Sequence, residues 1–384
     1  MSSAPAENTH VLPALIVGAG PAGLASAACL KRRGVDALVL EAGASLASSW
    51  RHHYDRLHLH TVKQQSHLPG LPFAKKMPRY PSRADVVSYL EAYAARFAIE
   101  PRTGEAVRRV RAAGDGFAVE TGRAIYHARA VVMATGLNRV SNPDRLPGQE
   151  GFRGALIHSR DYRNADRFGG QRVLVVGAGN TGAEIALDLA EHGARPTLAL
   201  RSPINIVPRD FLGIPTQLTS IRTRWLPLAV RDQIGRLVSR LAFGNLARYG
   251  LARPDLGPLS AIALRRRVPL IDVGTIAAIK RGAIAVKPAV VRFTETGAAF
   301  ADDSAGEFDA VVLATGYRPG LEEVIAVSGT LDEDGYPRDW RGGGAAPNLF
   351  FIGYTQPATG LLRQIAIEAE AIARAIAASS ARRD

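Results

Sequence analysis

LIVGAGPAGLASAACLKRRGVDALVLEAG, at residues 15–43, decides the fold of this chain. Leu15–Val17 form a short apolar run typical of a buried parallel strand, Leu24–Lys31 predict a helix, and Ala37–Leu40 predict the next strand. Between the first strand and the helix, three glycines have the spacing G-x-G-x-x-G: Gly18, Gly20 and Gly23. This order of strand, glycine turn, helix and strand predicts a β-α-β unit that binds a dinucleotide.

Each glycine of this turn has its own role in holding a dinucleotide. Gly18 allows the tight turn, Gly20 lets the backbone approach a pyrophosphate, and Gly23 lets the helix pack closely on the strand. Pro21 and Ala22 lie between the glycines, just before the predicted helix, whose N-terminal backbone N–H groups point at a bound phosphate. We therefore predict that these five residues bind a cofactor.

The same pattern recurs in RVLVVGAGNTGAEIALDLAEHGARPTLALRSP, at residues 172–203. It predicts a strand at Val173–Val176, a helix at Ala183–Glu191 and a second strand at Thr197–Leu200. The cofactor-binding residues predicted in its turn are Gly177, Gly179, Asn180, Thr181 and Gly182. The chain thus contains two dinucleotide-binding units.

The ends of the two second strands differ in charge. Glu41, followed by Ala42, stands about 20 residues beyond the first turn, where a carboxylate accepts hydrogen bonds from ribose hydroxyls. Arg201 and Ser202 stand at the corresponding place in the second unit, where a guanidinium and a hydroxyl suit the 2′-phosphate of NADP(H). A solvated surface arginine is the alternative interpretation of Arg201. The difference predicts two different dinucleotides.

Two strand-ending motifs flank the second unit. AVVMATGLN (130–138) and AVVLATGYRP (310–319) each place an apolar strand before Ala-Thr-Gly, whose small residues let the chain pass close to a cofactor. Cofactor contacts are predicted at Ala134, Thr135, Gly136, Ala314, Thr315, Gly316 and Tyr317.

This arrangement predicts an α/β protein in which one Rossmann-like domain is inserted into another. We predict that residues 1–168 and 301–384 form the first domain and residues 169–300 the second, with a helical excursion at 204–267. The segment PNLFFIGYTQPATGLLRQIAIEAEAIARAI (347–376) completes the first domain with a strand, a loop and a helix. Gly353, Gly360 and Leu361 of this segment are predicted to face a flavin, whose polar ring edge suits a helix N-terminus.

Composition limits the class of protein. With 384 residues, of which 47% are hydrophobic and 22% charged, the chain can bury a substantial core. It has no run near the roughly 20 apolar residues needed to span a bilayer, so we predict no stable membrane insertion and a cytoplasmic location. The single cysteine, Cys29, cannot form an internal disulfide, and no metal site is predicted.

The chain is strongly basic, with a formal charge of +13 and a pI near 10.3. Its arginines are scattered and are not interleaved with aromatic residues as a base-stacking surface requires, so we predict no nucleic-acid partner. The positive field would attract phosphate-rich cofactors and anionic small-molecule substrates. A homodimer is compatible with the sequence.

Over nearly its whole length the chain resembles the class B flavin-dependent monooxygenases, the flavin-containing monooxygenase group. Within that group it is most similar to the YUCCA-type indole-3-pyruvate monooxygenases. The resemblance is carried, in order, by GAGPAGLASAACLKRRGV, SSWRHHYDRLHLHTVKQQSHLPGLPF, YPSRADVVSYLEAYAARF, FRGALIHSRDY, VGAGNTGAEIALDLA, RWLPL, VPLIDVGTIAAIKRGAI and FDAVVLATGYRP. It implies FAD in the first domain and NADPH in the second.

FRGALIHSRDY (152–162) matches the family fingerprint F-x-G-x-x-x-H-x-x-x-Y. The resemblance implies that Phe152 and Gly154 pack the junction of the two domains. It also implies that His158 and Tyr162 hold the nicotinamide nucleotide and take part in catalysis. A core histidine in a plain connector is the alternative for His158.

The resemblance places a further group of residues against the flavin. His60 stands where animal-type members have an asparagine close to the reactive flavin carbon, and a histidine there can donate a hydrogen bond or titrate near neutral pH. An ordinary strand edge is the alternative for the LHLH stretch, and a core aromatic is the alternative for Trp50, which would cover the flavin. The other implied contacts are His58, Gln64 and Val107. The family's Gly-Gly before that tryptophan is Ser48-Ser49 here.

The implied reaction is hydride transfer from NADPH to FAD, formation of a C4a-(hydro)peroxyflavin with O₂, and oxygenation of a small organic substrate. A 2-oxo acid that loses CO₂ and an amine or thioether are the substrate classes that remain open. A non-oxygenating NADPH-dependent flavin oxidoreductase or oxidase is the alternative enzyme, and a redox-sensing flavin-binding module is the alternative from another class.

The excursion at 204–267 has apolar and arginine positions at helical spacing from Leu226 to Phe243. We predict a helix there that forms part of the substrate-tunnel wall. A helix that lies on a membrane surface is the alternative.

Overall fold

The computed structural model describes residues 6–142 and 145–382. Its α-helices are α1 (Pro21–Lys31), α2 (Ser48–Arg51), α3 (Arg83–Arg96), α4 (Asn180–Glu191), α5 (Thr216–Arg222), α6 (Leu228–Phe243), α7 (Pro258–Arg265), α8 (Thr275–Lys280) and α9 (Leu361–Ser380). No helix in these residues is both long enough and apolar enough to cross a membrane.

The strands of the described residues come in the following order. They are β1 (Ala6–Val17), β2 (Ala37–Leu40), β3 (Val107–Ala113), β4 (Gly116–Thr121), β5 (Ala124–Met133), β6 (Val140–Ser141), β7 (Ala155–His158), β8 (Arg172–Val176), β9 (Arg195–Ala199), β10 (Ile206–Pro208), β11 (Asp210–Phe211), β12 (Ile214–Pro215), β13 (Leu270–Asp272), β14 (Ala285–Lys287), β15 (Val290–Phe293), β16 (Gly297–Phe300), β17 (Ala305–Glu307), β18 (Ala310–Leu313), β19 (Tyr317–Arg318) and β20 (Leu349–Phe351).

The chain forms two compact units. The first consists of residues 1–52, 62–140 and 317–384, and the second of residues 53–61 and 141–316. Each unit contains one of the two glycine turns.

The first unit is built on a sheet in the order β2-β1-β5-β4-β3, and β20 pairs with the end of β5. Strands β2, β1, β5 and β20 run parallel, whereas β3 and β4 form an antiparallel ribbon whose β4 pairs antiparallel with β5. The long α9 packs against α1. The core of this unit lies under the sheet and contains Leu15, Val131, Met133 and Phe351.

The second unit is built on a parallel sheet in the order β14-β9-β8-β18-β7. Its core gathers Val173, Val175, Ile185 and Leu189 from β8 and α4. A second apolar cluster includes Phe293, Phe300 and Phe308 of the β15-β16-β17 meander and the segment that follows it. The order reverses between β8 and β18, which makes the carboxyl ends of these two strands the expected ligand crevice.

The local predictions from the sequence are confirmed within these units. The helices at α1, α4, α6 and α9 and the strands β2, β8 and β9 lie close to the bounds that the apolar patterns predicted, whereas β1 begins at Ala6, nine residues before the predicted Leu15. β2 has the predicted bounds, and α9 begins at Leu361 as expected. By contrast, the LHLH stretch forms no regular strand, since only His58 makes a bridge.

The units divide the chain at places different from the predicted domain boundaries. The boundaries between the units lie at residues 140 and 316, and residues 53–61 also belong to the second unit. The boundaries predicted from the sequence were residues 168 and 300. The strand pairing gives the reason, because β7 and β18 are neighbours in the same sheet as β8. Which cofactor each unit binds stays a prediction at this point.

Candidate active site

In the first glycine turn, two glycines lie too close to neighbouring backbone atoms to carry a side chain, and one faces open space. Gly18 has φ +108°, and a Cβ there would lie 2.6 Å from the carbonyl oxygen of Ala134. A Cβ on Gly23 would lie 1.8 Å from the oxygen of Gly18, which fixes how closely α1 meets β1. A Cβ on Gly20 would meet no described atom within 4 Å. The open side at Gly20 is therefore the space that a pyrophosphate needs.

Glu41 lies beside this turn. Its carboxylate accepts hydrogen bonds from the backbone N–H groups of Ala19 and Gly43, both at 2.8 Å. Each carboxylate oxygen has further lone pairs, so Glu41 can still accept a ribose hydroxyl. Ala42 is exposed next to it, and Pro21 and Ala22 form the first residues of α1, which begins three residues before the predicted Leu24.

The first Ala-Thr-Gly motif adjoins the same turn. The N–H of Ala134 donates to the oxygen of Val17 at 2.9 Å, and Thr135 bonds to the Tyr354 hydroxyl through its N–H and its side chain, at 3.1 and 2.8 Å. Burial raises the pKa of Tyr354 to about 12. Gly136 has φ +82°, so the chain turns away directly after the motif. The carboxyl ends of β1 and β5 therefore meet at one edge.

Glu368 organises the loop after β20. This fully buried carboxylate accepts from the N–H of Gly353 at 2.9 Å, from the Thr355 hydroxyl at 2.9 Å and from the Gln364 amide at 3.1 Å. In the same loop, the Oε1 atom of Gln356 is buried and has no hydrogen-bond partner among the described residues. A buried acceptor without a donor favours a bound ligand that supplies one.

The remaining residues predicted against the flavin lie in different parts of the first unit. Trp50 is half-buried in α2, and the preceding Ala47 donates to the oxygen of Ala19 in the glycine turn at 3.0 Å. Val107 opens β3, whose preceding segment pairs with the backbone of Glu41. Gln64 is exposed on a short 3₁₀ turn. At the start of α9, Gly360 is buried and Leu361 is exposed.

The second glycine turn repeats the first in detail. Gly177 also has φ +108°, and a Cβ there would lie 2.4 Å from the oxygen of Ala314. A Cβ on Gly182 would lie 1.9 Å from the oxygen of Gly177, whereas one on Gly179 would meet no described atom within 4 Å. The open position is again the middle glycine.

Asn180 and Thr181 begin α4, three residues before the predicted start at Ala183. The side-chain oxygen of Asn180 accepts from the N–H of Ile271 at 2.7 Å, and its amide donates to the oxygen of Pro269 at 3.3 Å. Asn180 therefore ties the start of α4 to β13. These bonds give it a structural role, and its cofactor contact stays a prediction.

A group of polar and basic residues lies at the end of β9. Arg201 and Ser202 are exposed, and the Arg267 guanidinium approaches the Ser202 hydroxyl at 3.5 Å. The sequence predicted the first two residues but not Arg267, which is 65 positions away from Ser202. Two guanidinium groups and a hydroxyl form a suitable site for a phosphate.

His158 ends β7, next to the end of β18. Its Nδ1 accepts from the N–H of Arg160 at 3.1 Å. Burial, followed by the charge of Arg160, lowers the pKa of His158, which favours the neutral ring; the charge of Asp161 and the contact with the Gly316 backbone act in the opposite direction. The fingerprint histidine thus meets the second Ala-Thr-Gly motif, which comprises Ala314, Thr315 and Gly316, and Tyr317 follows half-buried.

The fingerprint tyrosine lies in the core of the second unit. Tyr162 is fully buried, and its hydroxyl donates to Asp188 of α4 at 2.6 Å. Its ring stacks on Phe168 with centroids 5.9 Å apart. These are the contacts of a core residue, and they give no support to the predicted catalytic role. Nearby, a Cβ on Gly154 would lie 2.7 Å from the oxygen of Asp309, which explains the small residue in the fingerprint.

His60 makes a buried pair with an acid on α4. Its Nε2 lies 2.7 Å from Oε1 of Glu184, whose side chain is only 4% exposed. His58, two residues earlier, is exposed, and its Nδ1 contacts the oxygen of Arg56 at 2.7 Å. The two predicted histidines therefore have different environments, and only His60 has a side-chain partner of catalytic interest.

Comparisons with known proteins identify the family of this chain. A family model described as pyridine nucleotide-disulphide oxidoreductase matches residues 15–210. Indole-3-pyruvate monooxygenase YUCCA1 of Oryza sativa subsp. japonica is 41% identical over 370 residues, which cover 93% of this chain and 90% of that protein. The chain belongs to the YUCCA-type flavin monooxygenases.

Solved structures agree with this membership. The flavin-containing monooxygenase of Stenotrophomonas maltophilia has a TM-score of 0.72 and 25% identity, covering 96% of this chain and 98% of that one. A steroid monooxygenase solved with NADP has a TM-score of 0.77 at 18% identity, covering 97% of this chain and 85% of that one, and shows the fold alone. This YUCCA-type protein is therefore an FAD-dependent monooxygenase that uses NADPH and O₂, and it has the predicted fold class, with two Rossmann-like domains.

The residues of the chain fit both cofactors. In the first unit, the open space at Gly20 suits a pyrophosphate, and the carboxylate of Glu41 suits a ribose hydroxyl. The unsatisfied Oε1 of Gln356 suits a hydrogen-bond donor of the ligand. In the second unit, Gly179 is open in the same way and Arg201 stands where the first unit has an acid. Within the described residues, no group of three or more His, Cys, Asp or Glu side chains is placed to hold a metal ion.

Sequence reasoning missed four side chains that support these sites. They are Glu184, Arg267, Gln356 and Glu368. Each of these side chains acts through a contact with a distant position in the chain or through its burial. A local sequence motif shows neither the contact nor the burial. The acidic positions of α4 were a weak signal, because a carboxylate inside an otherwise buried helix requires a partner.

Proposed function

We propose that this monooxygenase oxygenates a 2-oxo acid and releases CO₂, converting R–CO–COOH, O₂, NADPH and a proton into R–COOH, CO₂, NADP⁺ and water. The similarity to indole-3-pyruvate monooxygenase YUCCA1 over 93% of the chain carries the choice of substrate class. The basic balance of the chain, +13, favours an anionic substrate over an amine. We infer no nucleic-acid partner for this activity.

The first unit would hold FAD and the second NADPH. Gly18, Gly20 and Gly23 would hold the flavin pyrophosphate, and Glu41 the ribose, because a carboxylate accepts hydroxyl protons and repels a 2′-phosphate. Gln356 would receive a donor of the flavin ring at its buried Oε1. The bound flavin supplies the hydride acceptor and the reaction with O₂.

In the second unit, Arg201, Ser202 and Arg267 would bind the 2′-phosphate of NADPH. Charge-assisted hydrogen bonds of this kind are shorter and stronger than neutral ones. His158, neutral and placed by β7 at the carboxyl edge of the sheet, would position the nucleotide through its uncharged ring. The role we propose for Tyr162 is indirect, because its hydroxyl is bonded to Asp188 and braces the fingerprint segment against α4.

We propose His60 as the residue that holds or donates a proton during the oxygen half-reaction. Its Nε2 faces Glu184, so a proton on that nitrogen is held by a charge-assisted hydrogen bond. The carboxylate also selects which ring nitrogen carries the proton when the ring is neutral. Glu184 is thus a positioning residue, and His60 is the group that would act.

The test is a substrate screen under matched conditions. The FAD-loaded enzyme is supplied with NADPH, O₂ and, in separate reactions, a 2-oxo acid with an aromatic side chain, a primary amine or a thioether. We expect NADPH consumption to equal product formation only with the 2-oxo acid. Coupled product from the amine or thioether alone would overturn the substrate class, and hydrogen peroxide equal to NADPH with every substrate would favour a non-oxygenating oxidase.

A further inference from the structure

Helix α6 has an inverted distribution of polar and apolar side chains. Asp232 and Ser239, each 7% exposed, are on its buried side, whereas Leu237 and Leu241 are 57% and 66% exposed. Val230, seven and eleven residues before these leucines, lies within about 40° of them on a helix. These three apolar side chains form what we name the outer stripe of α6.

The polar side of α6 is fixed in place. The Asp232 carboxylate accepts from the N–H of Leu259 at 2.7 Å and from the N–H of Ser260 at 3.2 Å, and thereby caps α7. A Cβ on Gly257 would lie 2.3 Å from the Asp232 side chain, so the two helices are in close contact there. Because these contacts hold the orientation of α6, the helix cannot turn its outer stripe inward.

The outer stripe belongs to a segment with an excess of exposed apolar side chains. Nine of the thirteen large apolar side chains exposed among the described residues lie between positions 212 and 268. Trp225, which is 79% exposed shortly before α6, is one of them. Exposed apolar side chains concentrated in this way indicate a binding surface.

The same segment carries most of the net charge of the chain. Positions 212–268 contain ten arginines, no lysine and two aspartates, a formal charge of +8 out of +13. Arg236, Arg240 and Arg253 line a cavity of about 60 Å³ together with the buried Ser239, on the polar side of α6. Desolvation, and then the charge of Arg240, lower the pKa of Arg253.

We propose that the outer stripe of α6, with the arginines of the same segment, docks the protein on an anionic lipid surface. Apolar side chains flanked by arginines are the features that place a helix in the interface of a bilayer, and tryptophan is enriched at that depth. A second copy of the chain is disfavoured as the occupant, since it would bring a second segment of charge +8 against the first.

The test is vesicle flotation of the FAD-loaded enzyme. One set of vesicles contains phosphatidylcholine only, and the other contains phosphatidylcholine with phosphatidylglycerol. We expect at least tenfold stronger partitioning to the anionic vesicles and a steep loss in high salt. Equal or absent binding to both sets of vesicles would overturn the proposal.

Two pairs of substitutions separate the contribution of the apolar side chains to vesicle binding from that of the arginines. Leu237→Gln with Leu241→Gln should reduce binding at least tenfold, and Arg224→Gln with Arg240→Gln, at two exposed arginines of the same segment, should abolish the preference for anionic vesicles; Ile367→Gln, at an exposed position of α9, is the control. Flavin content and the unfolding temperature should stay unchanged, which shows that the variants are folded. If the leucine pair instead halves the molar mass measured by light scattering without vesicles, the stripe covers a second copy and the lipid proposal is wrong.

Discussion

Nε2 of His60 lies 2.7 Å from Oε1 of Glu184, and the two residues are 124 positions apart. The histidine is the last residue of the LHLH stretch (57–60), while the glutamate is on α4, two residues beyond the last glycine of the second turn. The pair therefore links the histidine of interest directly to the nucleotide-binding helix of the second unit.

Glu184→Gln should weaken coupling between NADPH consumption and product formation. The amide keeps the shape of the side chain but removes the charge from a hydrogen bond worth roughly 1.5–3 kcal/mol, so product formation should fall about tenfold or more. His60→Ala should have the same effect, and neither change should slow reduction by NADPH. Hydrogen peroxide released per NADPH, followed against pH, is the measurement. Glu150→Gln, which changes an exposed glutamate of the same unit, is the control.

If Glu184→Gln slows reduction by NADPH and leaves peroxide release unchanged, His60 does not serve the oxygen half-reaction. A lowered unfolding temperature with an unchanged pH profile would indicate that the pair is merely structural.

Gly20→Ala should remove FAD without unfolding the apoprotein. A Cβ there meets no described atom within 4 Å, so the chain tolerates it, whereas the pyrophosphate requires that space. We expect at least a tenfold loss of flavin affinity, measured by titration of the apoprotein, with an unchanged unfolding temperature. Gly151→Ala, at another open glycine, should change neither quantity. Full flavin occupancy in the Gly20 variant would show that this turn does not hold the pyrophosphate.

Arg201→Ala should remove much of the preference for NADPH over NADH. The lost charge-assisted hydrogen bond corresponds to about one to two decades in affinity for NADPH. Arg267→Ala should have a similar but smaller effect, because its guanidinium approaches Ser202 at 3.5 Å. Arg195→Ala, at the opposite end of β9, is the control. Stopped-flow reduction with each nucleotide provides the comparison, and equal rates with NADPH and NADH in the unaltered enzyme would refute the assignment.

Tyr162→Phe should destabilise the protein more than it affects nucleotide binding. The change leaves the buried Asp188 without its 2.6 Å donor, at a cost of about 1–3 kcal/mol in the free energy of unfolding. We expect the Kd for NADP⁺ to change by less than threefold. Denaturant unfolding and nucleotide titration measure the two effects. A large loss of nucleotide affinity at unchanged stability would restore the direct role that the sequence predicted.

Much of the fold was predictable because its signals are local. Gly18, Gly23, Gly177 and Gly182 have close backbone approaches that only glycine accommodates, and the apolar runs beside them have no alternative to buried strands. The charges of Glu41 and of Arg201 at the end of β9 also belong to local motifs, so their opposite signs could be interpreted as a difference in the bound cofactor.

The supporting side chains were not predictable because their contacts join distant parts of the chain. Tyr162 has the motif position expected of a ligand residue, yet burial assigns its hydroxyl to Asp188. Gln356 and Glu368 lie in the mainly apolar C-terminal segment. No sequence pattern there shows that the Oε1 atom of Gln356 is unsatisfied or that Glu368 holds the loop after β20.

Oxygenation of a 2-oxo acid is tested most directly with ¹⁸O₂. The FAD-loaded enzyme is given NADPH and an aromatic 2-oxo acid, and the isotope content of the carboxylic acid product is measured together with CO₂ and NADPH. We predict one ¹⁸O atom per product molecule and equal amounts of product, CO₂ and oxidised NADPH. NADPH oxidation that appears entirely as labelled hydrogen peroxide, with no CO₂ formed enzymatically, would contradict the function proposed for this protein.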